Sequence, residues 1–154
     1  MNIRQTSNAD DPDWLLLRAE FFPEDFPGEH QQFLEKWAAR QARFTAFVAS
    51  DENGDLLGFA EVAVRHDYVN GCQHQPALFL EGVFVRPEHR GKGVARALCD
   101  AAAEFGASQG CSEFASDVLI DDQRSLAAHA GLGFEETERV VYFRRKIKPA
   151  SAGT

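Results

Sequence analysis

The run Ala77-Leu78-Phe79-Leu80-Glu81-Gly82-Val83-Phe84-Val85 is nearly continuous in apolar residues, the pattern of a strand covered on both faces and so central in its sheet. Arg86-Pro87-Glu88-His89-Arg90 breaks it, and Gly91-Lys92-Gly93 leads into a helical pattern over 93–109. Toward the N-terminus, 45–50 and 56–65 are rich in strand formers, and Asp51-Glu52-Asn53-Gly54 between them suits a tight reversal, which predicts a hairpin. Asp11-Pro12-Asp13 sets a capping acid before a proline at the first helical position, opening a helix over 12–21. A second helix is expected over 29–43, where Phe33, Trp37 and Phe44 share a face, and a short first strand over 2–5. Toward the C-terminus, 113–118 reads as a strand and 122–130 as a helix stopped by Gly131-Leu132-Gly133. The stretch 139–147, centred on Val140, Val141, Tyr142 and Phe143, reads as a late strand that closes the sheet. The alternation predicts an α/β (α+β) domain, a mixed central sheet of about six to seven strands with helices on both faces.

At 154 residues and 44% hydrophobic content the chain suits one domain over 1–148, followed by a loose tail over 149–154. The opening Met1-Asn2-Ile3-Arg4-Gln5-Thr6 has no cationic segment before an apolar stretch, and no apolar run is long enough to span a bilayer, so a soluble cytoplasmic protein without a membrane partner is expected. Cys72, Cys99 and Cys111 are odd in number and widely spaced, which predicts free thiols and no metal site. A formal charge of −8 argues against nucleic acid as partner. The charge is unevenly spread. Acids crowd 1–35 against only Arg4 and Arg18, while Arg86, Arg90, Lys92 and Arg96 gather in one stretch, an arrangement suited to a cationic substrate and an anionic cofactor.

The chemistry-bearing motif is Arg90-Gly91-Lys92-Gly93-Val94-Ala95, set between the central strand and a helix start. A helix start leaves N–H groups unpaired and carries positive partial charge, and glycines there let a pyrophosphate approach the backbone. Lys92 and Arg90 add charge-assisted contacts. The spacing is neither that of a P-loop nor that of a dinucleotide-binding turn. Glu81 interrupts an apolar strand, and because an ionised carboxylate is rarely buried without a partner or a cavity, it is expected to line a cleft. Asp117 holds a comparable place near the end of the next strand, where open α/β sheets put their ligands.

Arg90, Gly93 and Ala95 fit the Arg/Gln-x-x-Gly-x-Gly/Ala motif of the GNAT acetyltransferases, and Ser125-Leu126-Ala127-Ala128-His129-Ala130-Gly131-Leu132-Gly133-Phe134 is similar to that superfamily's second block. Many members carry Tyr where this chain has His129, and Asn where it has Asp122. Four further stretches resemble, across nearly the whole chain, a group of bacterial aminoglycoside 6'-N-acetyltransferases: Arg65-His66-Asp67-Tyr68-Val69-Asn70-Gly71-Cys72, Phe79-Leu80-Glu81-Gly82, Ala115-Ser116-Asp117, and Gly133-Phe134-Glu135-Glu136-Thr137-Glu138-Arg139-Val140.

The resemblance implies a GNAT fold and acetyl transfer from acetyl-coenzyme A to the 6'-amine of an aminoglycoside, which confers resistance. It implies that Arg90, Gly91, Lys92, Gly93, Val94 and Ala95 cradle the pyrophosphate, that the backbone of Val83, Phe84 and Val85 pairs with the pantetheine arm, and that Asp122 meets its amides. For catalysis Glu81 is expected as base through a water, Asp117 as orienting or sharing partner, and His129 or Tyr142 as donor to the thiolate. Phe22, Asp25, Tyr68 and Glu138 join Glu81 and Asp117 as expected substrate contacts, and a homodimer joined through C-terminal strands is implied. Other readings are acetyl transfer to a polyamine or protein lysine, and a non-catalytic coenzyme A sensor. A covalent route through Cys111 lacks a histidine placed to activate it.

Overall fold

The computed structural model describes residues 1–40 and 43–151. Five strands make one sheet in chain order: β1 (Asn2–Thr6), β2 (Phe44–Ser50), β3 (Leu56–Arg65), β4 (Ala77–Val85) and β5 (Phe114–Ala115). The first four are antiparallel neighbours, and β5 runs parallel to β4. Helices α1 (Pro12–Phe21) and α2 (Glu29–Arg40) separate β1 from β2, α3 (Val94–Ser108) crosses from β4 to β5, and α4 (Gln123–Gly131) follows β5.

Each sheet face has its own core. Trp14 and Leu17 of α1 and Leu34 of α2 pack on Phe44, Ala46, Val48, Phe59 and Ala63. On the other face Val94, Leu98, Cys99 and Ala102 of α3 pack on Phe47, Val62, Leu78, Leu80 and Val85. Burial on both faces explains why β2, β3 and the first half of β4 read as apolar runs rather than as alternating strands.

The entry to α1 is built as the sequence implies. The Asp11 side chain accepts from the N–H groups of Asp13 and Trp14, and Pro12 follows at the first helical position. Arg4 from β1 grips the same carboxylate with two hydrogen bonds, 2.6 and 2.9 Å, and reaches Asp13 at 3.0 Å. The guanidinium holds the Asp11 carboxyl well below the usual carboxylate range, against the opposing effect of burial.

Four expectations are corrected. The described sheet has five strands, not six to seven. The strand expected over 113–118 is paired only at Phe114 and Ala115, because β4 turns away beyond them. The stretch 139–147 forms no strand: it is exposed along its length, Val141, Tyr142, Phe143 and Ile147 included, and no described sheet edge pairs with it. The second helix is described to Arg40, and Phe44 opens β2 instead of extending that helix. The expected helical turn at 41–42, and Ala152, Gly153 and Thr154 of the expected tail, lie outside the described residues.

Because Asp11 is depressed in the folded state, its contribution is fully present above its unfolded value of about 3.9 and is lost as pH falls through the folded value. Asp11→Asn retains a capping oxygen, so it loses the ion pair alone and flattens this acid limb. Asp11→Ala also loses the cap and costs about 1 kcal/mol more. Urea unfolding of both variants between pH 3 and pH 7, taken as roughly the span around the carboxylate range, separates the two contributions.

Candidate active site

The site begins with an irregularity in β4. In the register with β3, Glu61 faces Gly82 and the next residue, Val62, faces Leu80, so Glu81 is the extra residue of a bulge. A bulge bends its strand and re-aims a side chain. Leu78 and Leu80 before it and Val83 and Val85 after it all pack on the α3 side, so the strand's alternation changes phase at Glu81. The bend coincides with the end of pairing to β5: Leu78 faces Phe114, Phe79 faces Ala115, and no described strand flanks that edge of β4 further on. Accordingly Glu81, Gly82, Val83 and Phe84 are half-buried, whereas Ala77 to Leu80 are fully buried. The two parallel strands form a V whose inner edge offers unpaired backbone groups.

At the open end of the V, Pro87–His89 makes a single 3-10 turn and the chain enters α3 through Gly91 and Gly93, both at positive φ (76° and 82°). A Cβ at either would meet nothing within 4 Å, so glycine is needed for the backbone conformation and not for space. Gly93 caps α3 without a side-chain hydrogen bond, leaving the first N–H groups of the helix free of a side-chain acceptor. Lys92 and Arg90 are exposed beside the turn. Arg90 also donates from Nε to the Val85 carbonyl at 2.9 Å, which fixes the turn to β4 and takes one acceptor of that edge. Arg86, counted in the basic cluster, is pinned to α1 by Glu20 at 2.7 and 3.0 Å.

The opposite side of Glu81 faces a cavity of about 340 Å³ lined by Arg18, Phe22, His30, Phe33, Trp37, Phe44, Glu61 and Glu81 among others. Beneath it lies a charge network. Glu61 of β3 accepts from Trp14 Nε1 at 2.9 Å and from Arg18 at 3.1 Å, and the Arg18 guanidinium lies over the rings of Phe33 (4.4 Å) and Phe22 (4.9 Å). Burial pushes Glu61 up from the ordinary carboxylate value, opposed by Arg18 and the Trp14 hydrogen bond and reinforced by the nearby Glu81. Glu81 is itself held: Arg65 donates to its Oε1 at 2.8 Å while its own guanidinium stacks 3.6 Å from the Phe79 ring. One carboxylate oxygen is thereby oriented, and Oε2 has no donor among the described residues.

The other expected site residues fall in three places. Asp117 is exposed just past the last paired residue of β5. His129 is half-buried on α4, bonded to Ser116 and Ser125. The Asp122 side chain caps α4 by accepting from Ser125 N at 3.0 Å. Phe22 lines the cavity, and Phe21 is a packing ring, edge-on to Phe22, Phe59 and Phe84. Asp25 is exposed on the turn between α1 and α2. Tyr68 sits exposed in the β3–β4 loop, while Glu138 and Tyr142 lie on the exposed C-terminal segment. That segment crosses the loop at Thr137, whose side chain abuts Gly71, so the stretches carrying Tyr68 and Glu138 meet there. All three thiols are raised by burial, Cys99 to about 11, which suits packing rather than nucleophilic residues.

The whole fold, with this site in it, has known relatives. The acetyltransferase (GNAT) family model covers residues 12–134. The chain belongs to the GNAT acetyltransferase family. The aminoglycoside N(6')-acetyltransferase type 1 of Stenotrophomonas maltophilia is 44% identical over 149 residues, 97% of this chain and 95% of the relative. That of Salmonella typhimurium is 40% identical over 146 residues, 95% of this chain and 99% of the relative. Among solved structures, AAC(6')-Iy in complex with the bisubstrate analogue CoA-S-monomethyl-acetylneamine superposes with a TM-score of 0.84 at 38% identity, covering 95% of this chain and 98% of that one. AAC(6')-Ih from Acinetobacter baumannii gives the same TM-score and identity over 96% and 99%.

Within this GNAT domain, sequence reasoning found Glu81 but missed Glu61, Arg18, Trp14 and Arg65. The signal for Glu61 was present: it is an acid inside the apolar run of β3, as Glu81 is inside β4. Removing one member of a buried ion pair leaves the other uncompensated. Arg18→Met is therefore expected to cost about 3–5 kcal/mol in urea unfolding, and the added substitution Glu61→Gln to recover much of it.

Proposed function

We propose that this GNAT protein transfers the acetyl group of acetyl-coenzyme A to the 6'-amine of aminoglycosides by direct attack in a ternary complex, in the cytoplasm, and so confers resistance to them. The observation that carries the reading is Glu81 on the bulge of β4, where an acid-lined cavity meets the unpaired strand edge leading to the glycine turn. The likeness to the aminoglycoside acetyltransferases above supplies the substrate class.

The residues present fit the co-substrate. An anionic diphosphate matches the uncapped start of α3 with Gly91, Lys92, Gly93, Val94 and Ala95 and the flanking Arg90, and an extended arm with two amides matches the free edge at Val83, Phe84 and Val85. Asp122 spends one oxygen on its cap, so its role toward the arm falls to the other. Bound there, acetyl-coenzyme A supplies an acetyl thioester. Strand N–H groups at the free edge donate to the developing oxyanion.

An alkylammonium with a pKa of about 10.4 is mostly protonated near neutrality and cannot attack. Glu81 accepts its proton, directly or through a water, with Arg65 fixing the carboxylate's orientation. Asp117 orients the amine, and Phe22, Asp25, Tyr68 and Glu138 contact the sugar rings. Glu81→Gln keeps the shape and loses the base, so kcat near neutral pH falls by roughly 10²–10⁴ with acetyl-coenzyme A affinity unchanged. Wild-type turnover in that variant removes Glu81 from the mechanism. Acetyl transfer to kanamycin or tobramycin, compared with spermidine and histone peptides, tests the substrate class, and no turnover of any aminoglycoside overturns it.

The working form is a homodimer in which the C-terminal segment of one copy joins the sheet of the other. Val141, Tyr142, Phe143 and Ile147 are exposed on a segment of strand-forming residues that pairs with no described strand, and β5 is a two-residue edge strand with free backbone groups, the combination that recruits another strand. A second copy supplies both the strand and the edge. Light scattering is expected to give twice the chain mass, and deletion of 139–154 to give a monomer.

A further inference from the structure

We propose that Ser116 is a further catalytic residue, the group that protonates the departing thiolate, and that His129 behind it is a positioning residue that holds and replenishes the proton; this rests on the acetyl-transfer reading above. His129 Nδ1 lies 2.7 Å from the Ser125 carbonyl oxygen. A carbonyl only accepts, so Nδ1 carries the hydrogen and, in the neutral ring, Nε2 offers a lone pair. Nε2 lies 2.8 Å from Ser116 Oγ and accepts its hydroxyl hydrogen; when the ring is charged, Nε2 donates to the same oxygen. Ser125 Oγ stands at 3.5 Å from Nδ1, too far to displace the carbonyl. The ring's face is fixed by Phe134 at 5.3 Å, which in turn packs on Phe114 of β5 at 5.1 Å. Because Nε2 is engaged by Ser116, a proton leaving the ring leaves through Oγ.

The placement matters as much as the bond. Ser116 follows Ala115, the last residue paired with β4, so it stands at the apex of the V beside Asp117. The free edge from Leu80 to Val85 runs outward from that apex to the glycine turn, about 17 Å at about 3.3 Å per residue. An arm anchored at the turn and extended along this edge brings its reactive end to the apex. Neither serine is part of the base side of the site, where Glu81 faces the cavity with Arg65 and Glu61.

Glu81 takes one proton from the ammonium and passes it to solvent, the nitrogen forms its bond to the acetyl carbon as the carbon–sulfur bond breaks, and the nitrogen's second proton passes to water as the amide forms. Ser116 Oγ gives its proton to the sulfur and recovers one from the charged ring at Nε2. His129 regains that proton from solvent, and the net release is a single proton per transfer.

Single-turnover transfer and ring NMR test this together. In Ser116→Ala the single-turnover rate is expected to fall roughly 10- to 100-fold, at or below the low end for a proton-transfer residue because a thiolate is a tolerable leaving group, with the Kd for acetyl-coenzyme A unchanged. His129→Gln should fall similarly, and Ser116→Thr, which keeps a hydroxyl, should recover most of the rate. Long-range 15N NMR of the His129 ring, read at alkaline pH where the ring is neutral, should give the Nδ1–H tautomer in the wild type, and at lower pH the charged ring should show an Nε2 resonance that moves when coenzyme A is added and stays still in Ser116→Ala. A wild-type single-turnover rate in Ser116→Ala, an Nε2–H tautomer, or a loss matched by an equal loss of affinity overturns the relay. A wild type that acetylates only some other amine overturns the aminoglycoside reading and leaves this comparison to be run on that amine. One inert toward every amine sinks both.

Discussion

The parting of β4 from β5 is the constraint on which the site depends. Parallel neighbours that stayed paired would satisfy each other's backbone groups and leave nowhere for an extended ligand to bind. Here pairing stops at Phe79 and Ala115, and the next turn of β4 holds Glu81 as an extra residue opposite β3. A single inserted residue thus bends the strand, frees its edge and points a carboxylate away from α3. Everything else in the site is arranged around that edge: the glycine turn at its outer end, Ser116 and Asp117 at its apex, and the aromatic and acidic cavity on the face of α1 and α2.

Buried charge stabilises this arrangement only conditionally. Glu61 and Arg18 lie under the cavity, and the desolvation of each is offset by the other, by Trp14 and by the rings of Phe22 and Phe33. Such a pair gains little over a well-packed apolar substitute, but it ties α1, the α1–α2 turn and β3 to one geometry. The same first helix is fixed at its start by Arg4 on Asp11 and near its end by Arg86 on Glu20. Charges that composition alone would assign to an acidic surface lobe are therefore partly structural, and the acids left to meet a polycation are those around the cavity and on the α1–α2 turn.

The fold was legible where local chemistry and burial agree. The bounds of β3 and β4 follow from apolar runs between turn residues, α1 from its Asp11-Pro12 start, and α3 from the glycines before it. Two strand expectations failed for one reason. Strands were expected over 113–118 and 139–147, but a strand exists only where another edge accepts it: pairing with β4 ends at Ala115, and no described edge takes up the second stretch, although Val140, Val141, Tyr142 and Phe143 are strand formers. In the site, Glu81 was found because an acid in an apolar strand is costly. Arg65 was not, because a surface arginine at a strand end carries no such mark.

By itself the sequence determined the order of elements, the glycine turn before α3, the acid in the central strand and the family to which these point, since each depends on residues adjacent in the chain. Only the tertiary structure decided that Glu81 occupies a bulge, that Arg65 is its bonded partner, that Glu61 shares its cavity, and that His129 meets Ser116. The two hydrogen bonds span 16 and 13 residues of chain, and no local pattern encodes these meetings: they follow from burying both faces of one sheet.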